Sequence, residues 1–404
     1  MSIIGLAPMD GFTDCAFRQI VKEIFDKYGE KDKYELVLWT EFMNADGYII
    51  NPPGVMKHLL TDKTQSPVIA QIFWGNEDML MKCFADIQTK YGTSWKLKID
   101  SLNWKLQSPE KSGKIENWKF SFAGIELNMG CPARNVMNTG WGSALLKDRK
   151  KTLELIKKLR KTVKMPFSIK TRTWLNEADQ KAQFDFLIEA SNFCDMITIH
   201  GRTTNKVYSG EADWKFIYEL KKQIEGERNK GLGTRDQEWG NKCKVVGNGG
   251  IKRYEEIETF LHCHSEQSEE SSKNSLYPSL HSGWQSKCLD GIMIGQAAIG
   301  NPRIFTPHVP SREEIKDVVL KHLDYMISYE NYFQEQKIKY KDILVMPEHL
   351  NINVTNPQAI TLAEFRKHLF QYIKWIPWSK EFKQKVSTIV DYEQLVKEIQ
   401  KFLV

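Results

Sequence analysis

The chain of 404 residues is predicted to fold as an α/β protein, a (β/α)8 TIM barrel followed by a smaller all-helical C-terminal domain. Short apolar segments alternate with amphipathic stretches from the N-terminus to about residue 305, the pattern of a parallel α/β fold. Eight such repeats can be counted, which suits a closed barrel better than the alternative, an open doubly wound sheet. After Pro310 the strands stop and helical periodicity takes over. The division is therefore a barrel over 1–305 and a helical domain over 311–404.

The eight strands are expected at 3–7, 35–40, 67–72, 124–129, 166–171, 196–200, 244–247 and 291–295, where apolar and β-branched residues are bounded by Gly, Pro, Asn or Asp. Helical patterns follow most of them, as at 13–25, 148–163 and 180–193. Three polar segments without sustained period, near 92–120, 226–241 and 262–286, interrupt the rhythm and read as loop insertions. The last contains SEQSEESS at 265–272, a low-complexity run with no assigned function. In the C-terminal part, 311–332 and 361–404 read as helices, with Val318, Leu320, Leu323, Met326 and Ile327 spaced for one apolar face.

Composition narrows the class. Hydrophobic content of 41% with 27% charged residues describes a water-soluble fold, and no apolar run reaches membrane-spanning length. The N-terminus lacks the basic region of a secretory signal, so a cytoplasmic location is expected. Seven cysteines without paired spacing argue against a disulfide scaffold. Cys263 between His262 and His264 is the one metal-like cluster and reads as a surface loop, so no metal is expected. A net charge of +6 is compatible with a polyanionic partner without requiring one.

Chemistry collects where the expected strands end, which in a barrel is one rim. Strand one runs into Ala7, Pro8, Met9 and Asp10, and strand three holds Gln71. Strand four runs into Asn128, Gly130, Cys131 and Pro132, presenting a thiol at the rim. Strand five contributes Lys170 and Arg172, strand six His200 and Arg202, strand seven Asn248, Gly249 and Gly250, strand eight Gly295 and Gln296. Each could be a turn or cap residue, and a lone cysteine is more often a small buried hydrophobe. So many at equivalent places are hard to explain as turn chemistry. Glycines after the last two strands allow backbone N–H groups to approach a phosphate, and Lys170 with His200 could face a flat, electron-rich ring. Flavin mononucleotide (FMN), with one phosphate and one large ring, fits this layout.

Between 366 and 385, Arg366, Lys367, Lys374, Lys380, Lys383 and Lys385 face the single acid Glu381, with Phe370, Tyr372, Trp375 and Trp378 interleaved. Such a surface suits a nucleic-acid backbone. The other reading is a solvated helix face with its aromatics turned inward.

The segments LAPMDGFTD at 6–14, ELNMGCPA at 126–133, GWGSAL at 140–145, IKTR at 169–172, IHGRT at 199–203, GNGG at 247–250 and MIGQAAIGNP at 293–302 resemble the tRNA-dihydrouridine synthase family. The resemblance runs in order through residues 3–305, and Asn128 to Pro132 is its most specific part. It implies an FMN-dependent oxidoreductase that reduces the C5=C6 bond of a uridine in tRNA, with NADPH or NADH as reductant. It also implies that Pro8, Met9 and Asp10 line the flavin, that Gln71, Lys170 and His200 lie at its ring, and that Asn248, Gly249, Gly250, Gly295 and Gln296 hold its phosphate. Cys131 would be the proton donor to C5, with Asn128, Arg172 and Arg202 on the substrate side. Many family members carry arginine where this chain has Gln296, and Asn-Gly-Asp where it has Asn248-Gly249-Gly250. The helical domain would be the tRNA-binding part of a protein whose oligomeric state is left open, a monomer being the default. Two other readings compete: a flavin-dependent barrel oxidoreductase for a small molecule such as a free pyrimidine, and an RNA-binding protein that has lost catalysis.

Overall fold

The computed structural model describes residues 1–73, 76–91, 122–175, 177–206, 209–229, 243–262, 289–341 and 357–403. Its strands are β1 (Ser2–Leu6), β2 (Tyr34–Trp39), β3 (Met43–Asn44), β4 (Val68–Phe73), β5 (Gly124–Met129), β6 (Phe167–Arg172), β7 (Met196–His200), β8 (Lys244–Asn248) and β9 (Gly291–Ile294). All pairings are parallel. β1 lies between β2 and β9, and Leu38 of β2 pairs with Val68 of β4, which closes eight strands into a barrel and excludes the open sheet. The expected strands are all present, with ends displaced by a residue or so. β3 escapes a sequence reading because two residues carry no alternation; it lies beside Ile72 and Phe73 of β4.

The period of two decides what fills the barrel and what faces the helices. Ile3, Ala7, Val37, Trp39, Ile69, Met196, Val246 and Met293 form the interior cluster. Their neighbours in sequence, such as Ile4, Leu6, Leu36, Leu38, Ala70, Ile197 and Ile292, belong to the cluster shared with the helical layer. Trp39 is completely buried, and a Cβ on Gly5 would sit 2.8 Å from its Cζ3. Only glycine leaves room for that indole.

Outside the barrel, the helix Cys15–Tyr28 starts at Asp14, whose side chain accepts from the Phe17 amide at 2.8 Å. Phe17 on its inner face is fully buried, contributing about 2–3 kcal/mol by area. The helices Arg149–Thr162 and Gln180–Ala190 match the expected ones closely. Of the three insertions, 92–120 lies outside the described residues. Residues 226–229 complete the helix Trp214–Asn229, and the rest of that segment also lies outside. His262 ends the helix Glu256–Leu261; 263–286, with Cys263 and His264, lies outside the described residues.

Among the described residues, four helices follow the barrel: Arg312–Lys341, Pro357–Tyr372, Ser379–Val386 and Tyr392–Phe402. The first runs nine residues beyond the expected end at 332, and the expected block 361–404 is broken twice. At the first break Pro377 supplies no amide donor and Trp378 takes a left-handed backbone with φ of 63°. At the second, Asp391 caps a new helix by accepting from the Gln394 amide at 2.7 Å. Val319, Leu323, Leu362 and Phe365 join Phe17 in the same hydrophobic cluster, so these helices pack directly on the barrel's first helix. Lys57 adds ion pairs to Glu330 at 2.7 Å and Glu364 at 3.2 Å. No helix among the described residues is long and apolar enough to cross a membrane.

Candidate active site

A cavity of about 680 Å³ opens at the carboxyl ends of the barrel strands, within the size range of cofactor sites. Every site residue expected above lines it. Strand register explains why. Asn128 pairs with Lys170, and Arg172, His200, Asn248 and Met293 are successive cross-strand partners on β6 to β9. Residues dispersed over the sequence thus form one belt. A cavity of about 50 Å³ at the opposite end, between Ile3, Glu35 and Lys244, is too small for any cofactor.

The thiol loop is held by Asn128. Its Oδ1 accepts from the Gly130 amide at 3.0 Å and the Cys131 amide at 3.1 Å, and its Nδ2 donates to Gln71 Oε1 at 3.0 Å. Arg172 Nε donates to the Gly130 carbonyl at 2.8 Å, and Ser143 Oγ to the Cys131 carbonyl at 2.9 Å. The thiol itself is free of these duties. Among the described residues, Cys15, Cys83, Cys194 and Cys243 are buried, whereas Cys131 is partly exposed in the cavity wall. Burial pushes its pKa above the ordinary value of 9.0, with a hydrogen bond from the Ala133 backbone and then Arg172 and Lys170 opposing, so it is a thiol at neutral pH.

Lys170 keeps part of its surface open to the cavity, yet protein surrounds its ammonium, and burial lowers it to about 8. Its Nζ donates to Asn248 Oδ1 at 3.3 Å, and Asn248 Nδ2 donates to the Met293 carbonyl at 2.7 Å. His200 is driven down to about 2 by burial and then by Lys170, Arg172 and Arg202. It is neutral at any physiological pH.

Sequence reasoning missed Glu126. It lies completely buried one inward position below Asn128, accepts from Gln71 Nε2 at 2.7 Å and Ser168 Oγ at 3.2 Å, and is raised to about 7 by burial. The available signal was the period of two: if Asn128 points inward, so does Glu126. Phe42 and Lys252 also line the cavity without having been expected.

The turn after β8 is shaped for close backbone approach. Gly249 and Gly250 have φ of 111° and 87°, a region L side chains rarely adopt. A Cβ on Gly249 would lie 3.2 Å from His200 Nε2 and 3.4 Å from Arg202 Nη1. Arg202, expected on the substrate side, therefore stands against this turn. Gln296, at the head of the short turn Gln296–Ala298, is exposed. Glycine cradle, adjoining cation and ring-sized cavity fit a phosphorylated planar cofactor.

A family model described as dihydrouridine synthase matches residues 5–96 and 115–232, more than half of the chain. A probable tRNA-dihydrouridine synthase of Rickettsia bellii is 25% identical over 401 residues, covering 96% of this chain and 91% of the relative. One of Rickettsia typhi is 25% identical over 289 residues, covering 69% and 68%. The probable tRNA-dihydrouridine synthase 2 of Bacillus subtilis is 27% identical over 343 residues, covering 84% and 81%. The match spans β1 through the helix after β7 and includes the Asn128-braced thiol loop, Lys170 and His200. By this match over a closed barrel, the chain belongs to the dihydrouridine synthase family.

Proposed function

We propose that the protein reduces the C5=C6 double bond of a uridine in tRNA, using FMN with NADPH or NADH as reductant. The observation that carries this reading is Cys131: the one cysteine among the described residues that is not buried, lining the cavity with its thiol protonated at neutral pH and its loop held by backbone hydrogen bonds. FMN held in this cavity would, in its reduced form, be the source of a hydride for C6 of the uracil. The Cys131 thiol then places its proton on C5 as general acid. Arg172 and Lys170, which already act on the thiol's charge, stabilise the thiolate left behind.

The remaining residues bind and orient. Lys170 and Gln71 face the ring of the cofactor, with Lys170 countering negative charge there and Glu126 holding Gln71 in place. Pro8, Met9 and Asp10 form one wall. The Gly249 turn, with Gly295, receives the phosphate, and Arg202 supplies the cation that Gln296 does not. Asn128 and Arg172 set the thiol loop against the uracil.

A uridine stacked in folded tRNA cannot enter a barrel mouth, so the nucleotide is extruded into the site. The C-terminal helices grip the tRNA, with Trp375 and Trp378 standing 85% and 78% exposed beside Lys374 and Lys380. Of the four aromatics interleaved with the basic run, Tyr372 is buried and Phe370 half-buried, so the inward-facing alternative holds for that half only.

The test is mass spectrometry of unmodified tRNA incubated with the protein, FMN and NADPH. A gain of about two hydrogens on a uridine, one hydride plus one proton, is expected. Oxidation of NADPH without change in tRNA, together with reduction of free uracil, would replace this reading with the small-molecule oxidoreductase.

A further inference from the structure

The geometry points to a binding site for a divalent transition-metal ion of the zinc type, formed by Asp14, His322 and His368, which ties the loop after β1 to the C-terminal helices. The three residues come from three elements. Asp14 caps the helix Cys15–Tyr28, His322 lies within Arg312–Lys341, and His368 within Pro357–Tyr372. One donor atom of each lies within 4.8 Å of the other two.

Both imidazoles are buried, at 0% and 1% exposure, and His322 Nε2 and His368 Nδ1 have no hydrogen-bond partner. Buried polar atoms left unpaired are rare and call for a physical reason. Burial holds both rings below the ordinary pKa. A neutral imidazole offers one lone pair, on whichever ring nitrogen carries no proton. With the carboxylate of Asp14, one donor atom from each residue can turn toward a common point. A cation satisfies all three at once.

Two imidazoles and a carboxylate form a donor set that zinc accepts, with a fourth position left for water. At bond lengths of about 2.0–2.1 Å the donor atoms of such a site stand about 3.3 Å apart, so the groups close by about 1.5 Å at most, within side-chain rotation. Asp14 Oδ1 is engaged by the Phe17 amide, leaving its other oxygen for the ion. The outer shell is also in place. His322 Nδ1 lies 3.1 Å from Tyr372 Oη, which orients the ring, and Phe17 stacks on His368 at 5.7 Å while Phe12 meets it edge-on at 5.6 Å. The ion would brace the loop that carries Pro8, Met9 and Asp10 to the cavity, a structural role independent of the proposed reaction.

The experiment uses tag-free full-length protein, stripped with chelator at neutral pH and titrated with Co2+ and then Zn2+. One equivalent of Co2+ is expected to give visible d–d absorption that Zn2+ abolishes. Zinc at a hundredfold excess over its Kd should raise the thermal midpoint by about 3–4 °C. Asp14→Asn keeps the helix cap, and His368→Gln removes one donor; each should weaken binding by more than about a hundredfold. Circular dichroism checks folding, and if His368→Gln does not fold, Asp14→Asn decides. Absence of saturable Co2+ binding in folded wild type, binding unchanged in the folded variants, or a signal lost only in Cys131→Ala overturns the proposal.

Discussion

Replacing Cys131 by alanine separates chemistry from architecture. The Cys131 amide donates to Asn128 and its carbonyl accepts from the Ser143 amide and hydroxyl, so the loop's anchors are all backbone and survive the change. Removing one sulfur from a half-buried side chain costs about 1 kcal/mol or less of stability, a Tm change of about 2–4 °C at most. General-acid catalysis contributes about 10²–10⁴-fold, so turnover should fall by that factor, about 3–5 kcal/mol in the barrier. The assay is single-turnover formation of dihydrouridine with pre-reduced protein, with flavin reduction by NADPH followed separately and expected to be unchanged. The pH profile adds a second check. Burial raises the thiol pKa from its ordinary value, so the acid form prevails at neutral pH and a loss of rate from Cys131 is expected only on the alkaline side. A decline centred near 8 belongs to Lys170, whose charge is lost as pH rises through about 8. Wild-type-like turnover of Cys131→Ala, or a limb below pH 8 present in wild type and absent in that variant, would refute the assignment.

Asn128→Ala leaves the Gly130 and Cys131 amides without their acceptor, at about 1–3 kcal/mol for each group that water does not reach; turnover should fall at least tenfold with a measurable drop in Tm, and an unchanged rate would show that the loop holds itself. Gly249→Ala must adopt φ of 111° and brings Cβ to 3.2 Å from His200, a strain of about 1–3 kcal/mol; the purified variant should retain less flavin by absorbance, and full retention would move the phosphate away from this turn. Trp375→Ala and Trp378→Ala should each weaken tRNA binding by about 1–3 kcal/mol with little change in salt slope, as expected for stacking, whereas Lys374→Glu should lower the slope. Unchanged affinity in all three would remove this face from the tRNA grip.

What could be read from the chain alone was what is local. The eight strands follow from runs of apolar residues bounded by turn formers, and the rim residues follow because a strand's end is visible in sequence. Asn128 to Pro132 was legible for the same reason, since amide, glycine and thiol act within four consecutive residues. Glu126 was not legible as a site residue, because its surroundings depend on Gln71 and Ser168 from neighbouring strands. The nearness of Arg202 to Gly249 was likewise not visible in the sequence, since the two lie on neighbouring strand ends.

Tertiary structure alone decided barrel closure, through the pairing of β2 with β4 across the short β3. It alone decided which aromatics of the basic C-terminal run face water, because the break at Pro377 and Trp378 turns two tryptophans outward while Tyr372 joins the core. Charge states belong to the same class: Lys170, Glu126, His200 and Cys131 owe their shifts first to burial, a property of the surrounding protein. So does the meeting of Asp14 with His322 and His368, from helices far apart in the chain. Residue spacing encodes periodicity and turn chemistry, and so this sequence determined the barrel's strands and its chemical rim; desolvation and contacts between distant segments exist only once the chain has packed.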